Sequence, residues 1–259
     1  MNEKVFLILV DGVRPDALLS CGGQWIIDYF RGGTYSFQGR TVFPPVTLPV
    51  HISLLYGVEP QKHGVLTNEF FPDDRRVNGL IEVLARHGKR SAFFYCWEQL
   101  RDICTAGNHL SYSWFMSWEA YKTMNVDRRA TEACKEHIAE FEPDFVFLYH
   151  GEADEIGHQY GWMSPEYLDQ VRKSCDSIRD ILTSVPEDYS IIITSDHGGH
   201  GFDHGENIPE DMMIPICFRG KRFAKEERNG LSILDIPPTI THLLGIEADP
   251  SWEGKNVCK

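Results

Sequence analysis

The chain has 259 residues, 42% of them hydrophobic, enough to bury a full α/β core. Its formal net charge of −13 excludes general nucleic-acid binding, which needs a basic surface to neutralise phosphates. No run of eighteen apolar residues is present to span a membrane, and seven cysteines without a Cys-x-x-Cys pair fit reduced thiols, which points to a cytoplasmic protein.

The first element is a continuous apolar run, residues 5–10, of the kind found in a strand buried on both faces; it ends at Asp11-Gly12. Because this run carries a candidate ligand, the N-terminus is not read as a cleaved signal. Arg14-Pro-Asp-Ala-Leu-Leu and a turn-rich stretch follow. Next comes Phe43-Pro-Pro-Val-Thr47-Leu-Pro-Val-His51, where a helix is predicted from about Leu48 to Tyr56, with Thr47 as its N-cap and Pro49 tolerated in the first turn. Apolar residues at helical spacing over 78–87, stopped by Gly88, feed a strand over 91–96. From Trp97 to Asp127 the alternation gives way to an aromatic-rich, polar stretch, either a surface excursion packed on the core or a lid. Helices are expected over 125–140, 165–182 and 235–244, and strands over 145–149 and 191–194. This alternation predicts one domain, residues 1–259, of the α/β class, with a doubly wound, mostly parallel sheet flanked by helices.

Three of the strands end in a carboxylate. Residues 5–10 run into Asp11, 145–149 lead to Asp154 and His158, and 191–194 deliver Asp196-His197. Parallel sheets bind ligands at the carboxyl ends of their strands, so the three ends can share one crevice. A two-metal centre needs about six or seven His and Asp ligands, and this chain offers such a set. Asp154-x-x-x-His158 and Asp196-His197 are weak signals singly; their joint position at strand ends gives them weight. The loop Asp196-His-Gly-Gly-His200-Gly-Phe-Asp-His204-Gly is too glycine-rich for a helix, and glycine there would let the backbone bend several imidazoles inward. His200 and His204 compete for the last ligand position, and spacing does not decide between them. Asp11 has the alternative of capping a helix near Pro15. Thr47 at a helix N-terminus sits where the dipole and free N–H groups favour negative charge, so a capping role and a nucleophilic role coexist. His51, one turn on, reads as structural.

The array Asp11, Thr47, Asp154-x-x-x-His158, Asp196-His197 and His204 resembles the alkaline phosphatase superfamily, and within it the nucleotide pyrophosphatase/phosphodiesterase branch. Longer strings carry the resemblance: Asp11-Gly-Val-Arg-Pro-Asp16, the segment around Thr47 followed by Tyr56-Gly-Val-Glu-Pro-Gln-Lys-His63-Gly64, Asp154-Glu-Ile-Gly-His-Gln-Tyr-Gly161, and the Asp196 to His204 loop. It touches nearly the whole chain except residues 97–127. It implies one metal on Asp154, His158 and His204 and a second on Asp11, Asp196 and His197, with Thr47 beside the second. His204 is assigned by resemblance to compact members; larger ones take their last histidine farther downstream, where this chain has only His242 within the closing helix. Two divalent ions are implied, zinc first and manganese as the alternative. The resemblance further implies attack by Thr47 on phosphorus through a phosphothreonine-type intermediate, with Asn68 and the Thr47 backbone N–H holding a non-bridging oxygen.

Charge bears on the substrate. Two divalent ions set against three ligand carboxylates and one alkoxide leave the site near neutral, and the phosphate position carries neutral Asn68 rather than a clear basic residue. This favours a small-molecule phosphodiester or pyrophosphate over a monoester. Arg14 would weaken that argument if it reached the phosphate. A phosphomonoesterase or phosphonate hydrolase with the same metals is the alternative, and a non-catalytic metal- or nucleotide-binding pseudoenzyme is the alternative from another class. A sulfatase, which needs a modified Cys or Ser in Cys/Ser-x-Pro-x-Arg, does not fit Thr47. No stable nucleic-acid or membrane partner is expected, and the sequence leaves the oligomeric state open.

Overall fold

The computed structural model describes residues 3–69, 77–103, 109–121 and 124–259. Its frame is one eight-stranded sheet: β1 (Lys4–Val10), β2 (Thr34–Arg40), β3 (Ser91–Tyr95), β4 (Tyr112–Phe115), β5 (Phe145–His150), β6 (Tyr189–Thr194), β7 (Met213–Arg219) and β8 (Glu226–Glu227), in the order β4-β3-β5-β1-β6-β7-β2-β8. From β4 to β6 every pairing is parallel; β7 is antiparallel to both β6 and β2, and β8 returns parallel to β2. The mostly parallel, doubly wound sheet expected from the alternation is the observed fold.

β1 shows why the sequence builds it. Residues Val5 to Val10 are all buried, and successive side chains enter opposite cores. Val5, Leu7 and Leu9 join the helices Thr47–Tyr56, Leu80–Arg86 and Ile236–Leu243; Phe6, Ile8 and Val10 join Pro15–Ser20, Gln24–Arg31, Val126–Phe141 and Pro165–Leu182. A strand covered on both faces reads as an unbroken apolar run.

Several elements differ from the sequence expectation. The helix Gln24–Arg31, bracketed by glycine pairs, lies in what reads as a turn-rich stretch, yet Ile26, Ile27 and Phe30 anchor it. β2 buries Thr34, Ser36 and Gly39 while its aromatics stay half-buried, so it lacks an apolar stripe. β7 contains Pro215, which ordinarily argues against an interior strand. The pairing accommodates it. Ile216 faces Ser36 and Ile214 faces Gly39, so β2 has one extra residue opposite Pro215, and this bulge falls where the proline has no N–H to give. Within 97–127, residues 112–115 are not an excursion but the edge strand β4, while 104–108 and 122–123 lie outside the described residues. Among the described residues no helix is long and apolar enough to cross a membrane, and six cysteines are free thiols; Cys104 lies outside them.

Candidate active site

β5, β1 and β6 are neighbours, so their carboxyl ends bring the strand-end residues together at the centre of the sheet. Two groups of ligand-type side chains result: Asp11, Asp196 and His197, all buried, and Asp154, His158 and His204 at the cavity rim. Within each group the donor atoms lie within 4.8 Å of one another. The two groups touch through the stacked rings of His197 and His204, whose centroids are 3.8 Å apart. Gly12 permits this closeness. Its backbone is left-handed (φ +68°), and a Cβ there would stand 2.8 Å from Asp154 Oδ1.

Each histidine in the groups has its Nδ1–H committed to a backbone carbonyl. His197 donates to Gly198 O (2.8 Å), His158 to Phe202 O (2.9 Å) and His204 to Pro45 O (2.8 Å). Carbonyl oxygens only accept, so in the neutral ring the tautomer is fixed with the Nε2 lone pair facing inward. His197 Nε2 lies 3.3 Å from Asp11 Oδ1, 3.4 Å from Asp196 Oδ2 and 3.2 Å from Thr47 Oγ1. His158 Nε2 lies 3.4 Å from Asp154 Oδ2, and His204 Nε2 lies 3.8 Å from Asp154 Oδ1.

The carboxylates are held from behind. Asp11 Oδ2 accepts from the Tyr149 hydroxyl at 2.5 Å, and Asp196 Oδ1 accepts from the Gly12 and His197 N–H groups. Their remaining oxygens, Asp11 Oδ1 and Asp196 Oδ2, together with Asp154 Oδ1, are buried with no hydrogen-bond partner. Burial pushes the Asp11 carboxyl well above its ordinary range, and the Asp196 and Asp154 charges add to the effect; burial also raises Asp196. Burial, with His197 alongside, lowers His204 to about 4, whereas the hydrogen bond to Asp154 raises His158 to about 9. Unpartnered carboxylate oxygens beside imidazole Nε2 atoms are a donor set that fits divalent cations, whose binding would displace the protons held there.

His200 and His204 are placed differently. His200 Nδ1 is bonded to buried Asp211 at 2.8 Å and its Nε2 faces Glu206, so it belongs to neither group. The glycines of this loop also act differently from the expectation. Gly201 and Gly205 supply the left-handed bends, while Gly198 and Gly199 supply space: a Cβ would meet Glu210 O at 2.0 Å and the Trp162 ring at 2.2 Å, respectively.

Thr47 is not the N-cap. The helix begins at Thr47 itself, with Val46 as the capping position and no side-chain cap. An N-cap hydroxyl bonds the N–H two or three residues on, and Pro49 has none to offer at the first of those positions. Thr47 Oγ1 is instead free to face His197, and Asn68 Oδ1 accepts the Leu48 N–H at 2.9 Å. That bond fixes the Asn68 amide so that its NH₂ is the end left for another acceptor. Both residues line one cavity of about 150 Å³ with Asp11, Asp154, His158 and His204.

Other residues fall as follows. His51 is fully buried beneath Thr47, donating Nδ1–H to the Thr47 carbonyl, a structural position. The Arg14 guanidinium is taken by Asp16 and the Gly199 carbonyl. Asp11 does not cap the helix at Pro15, whose capping position is Arg14. Sequence reasoning missed Tyr149, although it carries a hydroxyl in a strand that is apolar up to that point. It also missed Trp162, which with Tyr167 donates to Gly12 O, and Asp127, which accepts from N–H groups 24 and 25 residues away.

Comparison with known proteins agrees with this architecture. The chain superposes on a murine ectonucleotide pyrophosphatase/phosphodiesterase 5 structure, an inactive threonine-to-alanine form in complex with AMP, with a TM-score of 0.81 at 16% identity over 98% of this chain and 97% of that one. A 2-O glycosaminoglycan sulfatase superposes with a TM-score of 0.74 at 16% identity, covering 99% and 73% of the two chains. These likenesses establish the fold as alkaline phosphatase-like. The profile of the family described as Type I phosphodiesterase / nucleotide pyrophosphatase matches residues 5–211, and the chain belongs to that family. Ectonucleotide pyrophosphatase/phosphodiesterase family member 1 of Rattus norvegicus is 26% identical over 225 residues, covering 76% of this chain and 24% of that protein. Family member 7 of Homo sapiens is 26% identical over 229 residues, covering 76% and 48%. The chain thus spans about a quarter to a half of the length of these relatives.

Proposed function

We propose that the protein is a metal-dependent hydrolase of phosphodiesters or pyrophosphates, acting through Thr47 as nucleophile. The observation that carries this reading is the set of three buried carboxylate oxygens without partners, on Asp11, Asp154 and Asp196, facing oriented imidazole Nε2 atoms beside one hydroxyl. Asp154, His158 and His204 would hold one divalent ion and Asp11, Asp196 and His197 a second, zinc before manganese given the imidazole-carboxylate donors. When bound, such ions supply Lewis-acid stabilisation of charge on the reacting oxygens.

The chain's own groups do the rest. Thr47 Oγ1 sits at the first residue of a helix, where the dipole favours the alkoxide; it forms a bond to phosphorus as the bond from phosphorus to the leaving oxygen breaks, the hydroxyl proton departing with that leaving group, and water then cleaves the Thr47 phosphoester, its oxygen going to phosphorus and a proton back to Oγ1. The Asn68 NH₂ and the Thr47 backbone N–H donate to a non-bridging oxygen as its charge grows. His197, His158 and His204 keep their orientation through their carbonyl bonds, and Tyr149 holds Asp11 in place. The inactive threonine-to-alanine form of the murine relative and its bound AMP support both the nucleophile and a nucleotide-like ester. A diester rather than a monoester is favoured because Arg14 is engaged elsewhere and the described residues lining the cavity include no lysine or arginine.

The test is turnover of bis-p-nitrophenyl phosphate against p-nitrophenyl phosphate with zinc and with manganese. The diester is expected to be the better substrate, and Thr47→Ala to lower kcat by at least about 1000-fold. A strong monoester preference would overturn the ester class, and an unaffected Thr47→Ala variant would overturn the mechanism.

A further inference from the structure

We propose that Cys21 and Cys175 form an oxidisable dithiol, a modification site at which a hydroperoxide closes a disulfide between the helices Pro15–Ser20 and Pro165–Leu182. Neither cysteine lines the cavity that holds Thr47, so the site stands apart from the chemistry proposed there. Cys21 closes the first of these helices and Cys175 lies inside the second, with more than half of the chain between them. Their thiols nevertheless meet. The Cys175 S–H donates to Cys21 Sγ, and the Cys21 S–H donates to Leu18 O at 3.4 Å.

The two sulfurs are not equivalent. Besides the Cys175 S–H, Cys21 Sγ accepts from the Gly23 and Cys21 N–H groups. The bond from Cys175 is the largest of the effects that hold the Cys21 thiol below its ordinary range, against the opposing effect of burial; the same bond, with burial, holds Cys175 well above it. Cys21 is therefore the thiolate and Cys175 the partner that keeps its proton. Burial raises the other described thiols, Cys96, Cys134, Cys217 and Cys258, so among the described cysteines Cys21 is the one prepared to react.

Access follows from the next two residues. Gly22 is exposed and left-handed (φ +81°), with nothing within 4 Å of where a Cβ would stand, and a Cβ at Gly23 would lie 3.5 Å from Cys21 Sγ and 4.0 Å from Cys175 Cβ. Two residues without side chains thus leave the sulfurs thinly covered. A void of about 20 Å³ borders Cys175 and gives its side chain room to turn.

With hydrogen peroxide, the Cys21 thiolate bonds to one peroxide oxygen as the O–O bond breaks and hydroxide leaves, giving a sulfenic acid. Cys175 Sγ then bonds to the Cys21 sulfur as its S–O bond breaks, and the Cys175 proton departs with the hydroxyl as water. The two thiols lose two electrons and one peroxide gains them. Tyr167, on the same helix as Cys175, already bonds Gly12 O and the Arg14 N–H, so the disulfide adds a covalent tie to the segment that starts at Asp11.

The experiment treats the zinc-loaded, unaltered protein with a small excess of hydrogen peroxide and maps its peptides without reduction. A linked Cys21–Cys175 peptide lighter by two hydrogens is expected, with Tm raised by roughly 5 °C or more and restored by a phosphine reductant. Cys175→Ser is expected to stop at a sulfenic acid that dimedone captures on Cys21, and Cys21→Ser to leave Cys175 unmodified. Both cysteines still free to alkylation after peroxide, Cys21 oxidised beyond the sulfenic acid without a cross-link, a link between other cysteines instead, or a linked form no more heat-stable than the reduced one would overturn the proposal. The map of the unaltered protein decides it even where a serine variant does not fold.

Discussion

Single atoms separate residues that the sequence leaves equivalent. His200 and His204 are four apart in the same loop, yet one gives its Nδ1 to a buried carboxylate and the other to the Pro45 carbonyl. The first arrangement makes an ion pair; the second leaves an Nε2 lone pair aimed at Asp154. Metal analysis checks this directly. His204→Ala is expected to lose about one of two bound ions and His200→Ala none, and loss confined to the His200 variant would contradict the assignment. Thr47 is a parallel case at the same scale. Proline two residues on removes a capping partner, and the hydroxyl that a cap would occupy is left facing His197.

At the scale of elements, the helix Glu152–Tyr160 must present Asp154 and His158 together, and its start is fixed from outside. Asp127, buried at the beginning of the helix Val126–Phe141, accepts the Gly151 and Glu152 N–H groups at 2.9 and 3.0 Å. Burial raises its pKa to about 6, so at neutral pH it is the charged acceptor these donors need. Asp127→Ala leaves two buried N–H groups unpaired. A loss of roughly 1–3 kcal/mol in denaturant unfolding is expected, together with weaker metal binding at Asp154 and His158; unchanged stability would contradict the capping role. Such a contact was not legible in the sequence, because nothing at Asp127 marks a partner 24 residues on. The strands β1, β5 and β6 were legible, since burial on both faces writes a continuous apolar run that ends at its ligand. β2 was not, since small polar residues fill its buried positions, and β7 was not, since Pro215 argues against a strand until the opposing bulge is seen. The candidate ligands were readable for the same reason as β1, whereas the groups behind them, Tyr149 and Asp127, answer to contacts that only folding creates.

The whole molecule stores like charges at its centre. Without metal, the native state keeps a proton on His158 up to about 9, through its bond to Asp154, where a free imidazole titrates near 6.5. That stabilisation is complete below 6.5 and is lost as pH rises through 9. Asp11, also raised, acts in the same direction, because the fold prefers its protonated form. His197 and His204 are lowered and oppose this only below about 6.5. Between pH 7 and 9 the metal-free protein should therefore lose stability, while bound cations replace the protons. The Tm difference between zinc-loaded and chelated protein is expected to widen over that range, and a flat or narrowing difference would contradict the charge arrangement.

The order β5-β1-β6 has a consequence for how such an enzyme can change. Adjacent strands in a sheet are spaced by their ladder bonds at about 4.8 Å, and the acidic ends of β1 and β6, Asp11 and Asp196, inherit that spacing as from a ruler. No side-chain replacement at the surface can stretch it. The distance between the β1 and β6 ends, where Asp11 and Asp196 sit, is thus a property of the backbone. Diversification is left to the far side, where Trp97 and Trp118 follow the ends of β3 and β4. The candidate metal-binding residues and the aromatic rim of the cavity thus follow separate strands.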